Sequence, residues 1–219
     1  MGEKAHKVEG LAVAESARQR SMSDLQAGRM RMLYVTRHGQ TTWNVANKMC
    51  GRTDAPLTDE GREQARRLGQ SLKEDRVHFD RIIASPLARA KATAQLVAEQ
   101  LDFPMDKLET DPRLMEISFG QLEGVQMDSD EHLAYKTQFA FSYPEGESIL
   151  SAANRIYPVL EELQADAKAR MEAGQPEQNV LLVCHGGTAR VINSFFNDLS
   201  NEAFFFWSLN NAEPVVYQL

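Results

Sequence analysis

Beyond residue 30, short apolar runs alternate with longer stretches in which apolar residues recur every three or four positions. The run MLYVTR, 32–37, is rich in strand formers and stops at Arg37-His38-Gly39. In PLTDEGREQARRLGQSLKED, Ala65, Leu68 and Leu72 share one helical face. Thr58 is placed to cap that helix, and Asp59 and Glu60 suit its positive end. DRIIASP, 80–86, predicts a second strand, with Pro86 opening a helix that carries Leu87, Ala90, Ala94 and Val97. A loop then leads to RLMEISFGQLEG, 113–124. A long amphipathic helix is expected from about Ser148 to Met171, followed by the strand VLLVC, another helix and a closing strand near PVVYQL. Strands separated by helices predict an α/β fold of three layers, a mostly parallel sheet with helices on both faces.

Two segments depart from this rhythm. Residues 1–30 are rich in Ala, Glu, Gln and Arg with little to bury, and read as an appended helix or loose extension ahead of a domain spanning 31–219. Residues 121–147 are irregular, first acidic (Asp128, Asp130, Glu131) and then aromatic (Phe139, Phe141, Tyr143), and predict a small helical cap inserted in the domain.

The predicted strands end in polar residues of one kind. The first runs into Arg37-His38-Gly39, the second into Ser85-Pro86 and Arg89, the last into Cys184-His185-Gly186-Gly187. Ligands of open α/β sheets bind beyond the carboxyl ends of the strands. Arginine forks and helix N-termini both favour a dianionic phosphate, so these ends predict a phosphate pocket. The last stretch admits another chemistry, because Arg190 follows Cys184 as in a cysteine phosphatase loop of Cys, five residues and Arg.

Charge sharpens this expectation. A net charge of −7 disfavours nucleic acid and anionic membrane as partners, so an anionic substrate needs a local basic pocket. No apolar run approaches the roughly 20 residues of a membrane span. The stretch MGEKAHKVEGLAVAESARQR lacks a secretory signal's apolar core. Two cysteines without paired spacing fit a reducing compartment, and a cytoplasmic protein is expected.

LYVTRHGQTTWN resembles the signature of the histidine phosphatase (phosphoglycerate mutase-like) superfamily, with Arg37, His38, Gly39, Gln40, Thr41 and Asn44 in its positions. GRTDAPLTDEGREQA, SPLARAKATA with Arg89, LMEISFGQLEG with Glu116, YPEGES and VCHGG with His185 resemble the following blocks, in order, over roughly residues 31–219. The resemblance implies a phosphoglycerate mutase-like fold and a phosphohistidine on His38. It gives Arg37, Arg89 and His185 the phosphate oxygens, Glu116 the proton to the leaving alcohol, and Gly39, Gln40, Thr41, Asn44 and the Gly186 amide supporting contacts. It implies no metal and no cofactor, since arginines supply the positive charge.

This reading uses Arg37, His38, Arg89 and Glu116, which the cysteine mechanism leaves without roles; Val191 also stands where a hydroxyl commonly follows the arginine of such loops. A catalytically silent phospho-ligand binder would be marked by loss of one of these residues, and all are present. A metal module on His38 and His185 lacks ligands at suitable spacing around His38. Between hydrolysis and mutase-type transfer, the resemblance favours hydrolysis. Mutases of this kind follow the acid with Arg-His-Tyr-Gly, whereas Ile117-Ser118-Phe119-Gly120 stands here, and only Lys136 is basic between Gly120 and Ser148. The expected partner is a small phosphorylated substrate, and a homodimer is left open.

Overall fold

The computed structural model describes residues 31–176 and 179–219; the predicted extension, 1–30, lies outside the described residues. Five strands form one sheet: β1 (Met32–Arg37), β2 (Arg81–Ala84), β3 (Leu108–Thr110), β4 (Val180–Cys184) and β5 (Pro214–Gln218), in the order β3-β2-β4-β1-β5. The pairs β3–β2, β2–β4 and β4–β1 are parallel, and only β5 runs antiparallel, beside β1. β1 and β4 hold the interior of the sheet and are apolar on both faces, as strands covered twice must be.

Alternation along these strands divides the core. Met32 and Tyr34 of β1, with Leu181 and Val183 of β4, pack against α2 (Asp59–Glu74) and α3 (Ala88–Gln100). Leu33 and Val35, with Val180, Leu182 and Cys184, pack on the other face against α5 (Ile149–Glu172) and α6 (Gly186–Phe196). The three predicted layers are therefore present. Thr58 caps α2 by accepting from the Gly61 amide, and Asp59 and Glu60 fill its first turn. α5 runs through Pro158 and begins after Ser148, whose side chain caps it.

Two local expectations need correction. β3 occupies part of the stretch read as loop; it is a three-residue edge strand with only Leu108 apolar, too short to show alternation. Pro86 does not open α3, which starts at Ala88 after an extended Leu87. Between β3 and α5 lie the turn carrying Glu116 and then a cap holding the short helix α4 (Asp130–Lys136). The remaining helices are α1 (Thr42–Val45), just after the β1 end, and α7 (Asn201–Phe206), ahead of β5.

Candidate active site

The register pairs Arg37 with Cys184, so β1 and β4 end level and their next residues, His38 and His185, emerge side by side. The His38 amide donates to the Cys184 carbonyl at 3.0 Å, and the two imidazole centroids stand 5.2 Å apart. β2 ends beside β4, with the Ser85 amide on the Val183 carbonyl, and delivers Arg89 from the first turn of α3. His38, Arg89, His185 and Glu116 are all buried.

His38 is held in one orientation. Its Nδ1 lies 2.7 Å from the Gly39 carbonyl, which can only accept, so Nδ1 carries the hydrogen and Nε2 keeps its lone pair. Arg89 Nε donates to that Nε2 at 3.2 Å, while its terminal nitrogens donate to the Thr53 and Gly51 carbonyls at 2.9 and 2.6 Å. Burial, reinforced by the Arg37 and Arg89 charges, holds His38 well below the ordinary histidine range despite the Gly39 contact. Burial likewise lowers His185, with Arg89, His38 and Arg37 adding to it. Both rings are therefore neutral near pH 7. His185 Nε2 lies 2.8 Å from the Ser85 hydroxyl, and its Nδ1 is buried without a partner.

Gly39 is required by packing rather than by φ. A Cβ there would sit far inside van der Waals contact with the Gly61 carbonyl, and a Cβ at Gly61 would meet the Gln40 carbonyl just as closely. The loop after β1 is thus docked backbone to backbone on the start of α2. Gln40 completes this joint: its amide donates to Gln64 Oε1, its carbonyl accepts from the Thr58 amide, and its side chain accepts from the Thr58 hydroxyl. Thr41 caps α1, and Asn44 Oδ1 accepts from the Thr41 amide in return. The structure therefore brings Arg37, His38, Arg89, His185, Gly186 and Glu116 together. The backbone amides and side-chain oxygens of Gln40 and Thr41 are engaged within the protein.

Glu116 reaches the pocket from the turn after β3. Its Oε1 accepts from the Ile117 and Thr188 amides at 2.8 and 3.0 Å, and its Oε2 from the Gly187 amide at 2.9 Å. The carboxyl thus sits on the amides at the N-terminus of α6. A Cβ at Gly187 would lie 2.7 Å from Glu116 Oε1, so only glycine permits this approach. The preceding Gly186 faces the Arg37 guanidinium, 3.6 Å from where a Cβ would stand. Arg37 Nε is buried without a partner. Burial is the largest influence on the Arg37 guanidinium and lowers it, with Glu116 opposing.

Several contributors carried no assigned role in the sequence. Arg155 donates to the carbonyls of Arg113, Met115 and Glu116 and pairs with Glu147, which also accepts from the Ser118 amide. The element YPEGES thereby fixes the turn that aims Glu116; its glutamate was visible as part of a motif, but its partner was not. Thr93 joins the Gly39 amide to the Arg89 carbonyl, and Asn211 donates to the His38 carbonyl at 2.7 Å. Only the fold brings these two to the site. Among the described residues, no group of three or more His, Cys, Asp or Glu is arranged to hold a metal ion.

Cys184 and Arg190 do not build a phosphate loop. The Cys184 thiol is in the apolar core, and burial pushes it far up from the ordinary thiol range, the opposite of a thiolate nucleophile. Arg190 turns away to donate its Nε to the Trp207 carbonyl at 3.0 Å.

The sequence profile of the histidine phosphatase superfamily (branch 1) matches residues 33–219. The chain belongs to that superfamily. Among the relatives of this histidine phosphatase superfamily member, a 2,3-bisphosphoglycerate-dependent phosphoglycerate mutase of Bartonella bacilliformis is 30% identical over 86% of this chain and 92% of its own. A mycobacterial glucosyl-3-phosphoglycerate phosphatase, solved in complex with VO3, superposes with a TM-score of 0.72 at 29% identity, covering 85% of this chain and 92% of that one. A putative α-ribazole-5'-P phosphatase from Escherichia coli K-12 gives 0.69 at 25% identity, over 87% and 91% of the two chains. The superfamily thus holds both phosphatases and mutases. No helix among the described residues is long and apolar enough to cross a membrane.

Proposed function

We propose that the protein is a phosphomonoester hydrolase acting through a phosphohistidine on His38. One observation supports this most directly: of the three buried side-chain atoms without a partner among the described residues, two flank His38, Arg37 Nε on the residue before it and His185 Nδ1 on a ring 5.2 Å from its own. Buried polar atoms without partners are rare in folded proteins, and a phosphate bound beside His38 would give these two an acceptor. Ser85 fits the same reading. If its hydroxyl donates to His185 Nε2, the hydrogen of His185 resides on Nδ1 and is available to a phosphate oxygen.

In the first step His38 Nε2 attacks phosphorus, the P–N bond forms and the ester P–O bond breaks. Glu116 gives its proton to the departing alcohol oxygen. Oε2 is the oxygen placed to carry that proton, since it has a single amide partner whereas Oε1 has two. Arg37, Arg89, His185 and the Gly186 amide surround the transferring group and stabilise its charge. In the second step water attacks phosphorus, Glu116 takes the water's proton, and the P–N bond breaks to return His38 and inorganic phosphate.

The relatives named as mutases keep phosphoryl transfer as a second reading. Hydrolysis is favoured by Phe119, whose ring packs on Tyr143 at 5.0 Å and offers no hydroxyl to a substrate. The test is to mix the protein with an aryl phosphate and quench in alkali, which preserves phosphohistidine. Phosphate on His38 by mass spectrometry, with release of inorganic phosphate at steady state, is expected. Phosphorylation of another residue, or isomerisation of phosphoglycerate primed by 2,3-bisphosphoglycerate that outpaces phosphate release, would overturn hydrolysis through His38.

A further inference from the structure

Glu123 lies in the cap and has no part in the proposed mechanism, yet both oxygens of its carboxylate are engaged. Oε1 accepts from the Arg52 amide at 2.8 Å, and Oε2 from the Thr53 amide at 2.7 Å and from the Thr53 hydroxyl. Three donors from two successive residues thus converge on one side chain. The backbone leads Glu123 to them, because residues 47–49 and 124–127 run antiparallel to one another. The Met49 amide donates to the Val125 carbonyl at 2.8 Å, the Gly124 amide to the Met49 carbonyl at 2.9 Å and the Met127 amide to the Asn47 carbonyl at 2.9 Å. Met49, Leu122 and Tyr143 form one buried cluster at this joint.

The loop that Glu123 grips is the loop that holds Arg89. The Gly51 carbonyl accepts from Arg89 Nη2 at 2.6 Å and the Thr53 carbonyl from Nη1 at 2.9 Å, while Nε reaches His38 Nε2 at 3.2 Å. Arg89 is only 1% exposed, so these carbonyls take the place of water around its charge. A Cβ on Gly51 would fall far inside van der Waals contact with Glu123 Oε1 and 2.8 Å from the Ile117 carbonyl, so loop and carboxylate pack atom on atom. Arg52 also pairs with Glu147 at 2.9 Å, but that arginine side chain is 41% exposed, and exposed pairs hold weakly. The grip of Glu123 on the two amides is therefore the stronger restraint on the loop.

We propose that Glu123 is a positioning residue for the phosphate pocket: it clamps loop 51–53, and the carbonyls of the clamped loop hold the Arg89 guanidinium beside His38. Two successive amides bound by one carboxylate leave the peptide between them little freedom to turn. The directions of the Gly51 and Thr53 carbonyls are fixed with it, and so is the place of the cation they hold. Glu123 touches neither Arg89 nor His38 and acts only through the loop. The inference rests on the phosphate-pocket reading above, but not on hydrolysis itself.

Two measurements keep the inference and that reading apart: orthovanadate binding by calorimetry, and exchange of the Arg89 Nε–H with water by nitrogen-15 NMR. Glu123→Gln turns an NH2 group toward backbone donors and removes the charge. It should weaken orthovanadate by about tenfold, the worth of one charge-assisted hydrogen bond. The Arg89 Nε–H, protected in the wild type, should exchange rapidly in the variant. In an Arg89→Gln background, which lacks the guanidinium, Glu123→Gln should cost less than about twofold more. A tenfold loss that persists there would make Glu123 a general support of the fold, and unchanged binding in the single variant would detach it from the pocket. If Arg89→Gln does not fold, the NMR signal decides alone, and protection retained in Glu123→Gln overturns the proposal. A wild type that binds no orthovanadate, with the Nε–H still responding to Glu123→Gln, would instead defeat the phosphate-pocket reading and leave the hold of Glu123 on Arg89 in place.

Discussion

The proposed phosphate pocket and the cap beside it are held by different forces. In the pocket, His38, Arg89 and Glu116 are each tied to backbone groups: the Gly39 carbonyl, the Gly51 and Thr53 carbonyls, and the Ile117, Gly187 and Thr188 amides. In the cap, order comes from side chains stacking on side chains. Tyr135 lies 5.2 Å from Tyr143 and 5.4 Å from Phe141, and Phe139 packs on Phe204 and Phe205 at 5.0 and 4.7 Å. Phe141 and Leu133 remain 62% and 46% exposed, so the cap is only partly sealed. Backbone anchors fix atoms to fractions of an ångström and resist substitution. Stacked rings tolerate exchange more readily.

Breaking the pocket should therefore act on rate, and breaking the cap on stability. The largest effect is expected from His38→Ala, which should lower kcat by at least about 10⁴-fold and abolish the alkali-stable phosphoenzyme. Glu116→Gln comes next, at roughly 10²–10³-fold for an alkyl phosphate. Its loss should shrink for a nitrophenyl ester, whose leaving group departs without a proton; an equal loss for both esters would take the acid role from Glu116.

Acid should expose the same contrast through stability. The folded protein holds His38 and His185 well below the ordinary value of about 6.5, so between that value and their lowered ones the unfolded chain binds more protons. Stability is then complete above about pH 6.5 and falls as the pH drops below it. Thermal melts from pH 7.5 to 5 should show this slope, and His185→Gln should flatten it. The smallest rate effects belong to Phe139→Ala and Cys184→Ala. The first should lower stability by about 2 kcal/mol with kcat within about twofold of wild type. The second should keep its activity as well, and an inactive Cys184→Ala protein would reopen the thiol chemistry.

How far the sequence could be read follows the same division. Apolar runs and helical faces predicted the layers, because β1 and β4 are continuous apolar runs and α2 and α3 are long enough to show a period. The residues closing these strands could be named because the ends of a parallel sheet collect them at one place. β3 escaped because three residues display no alternation. The clamp of Arg155 on Glu147 escaped for another reason: it joins α5 to carbonyls some forty positions earlier, and carbonyls leave no mark in a sequence. The aromatics of the predicted cap are visible in the sequence, but what they touch is not. Phe139 and Tyr143 serve packing, since one sits on α7 and the other is buried against Phe119. Arg190 was conspicuous only through its distance from Cys184, and that spacing pointed to the wrong neighbour.

The hydrogen bond from Arg89 to His38 Nε2 has a temporal meaning. While it holds, the Nε2 lone pair is occupied, and the nucleophile of the proposed mechanism stays covered. A phosphate oxygen is a far stronger acceptor than an imidazole nitrogen for a guanidinium N–H. The arriving substrate, on the proposed mechanism, draws Arg89 onto itself and uncovers His38 in the same motion. Docking and arming then become a single event, and a passing electrophile without a phosphate finds the histidine still shielded.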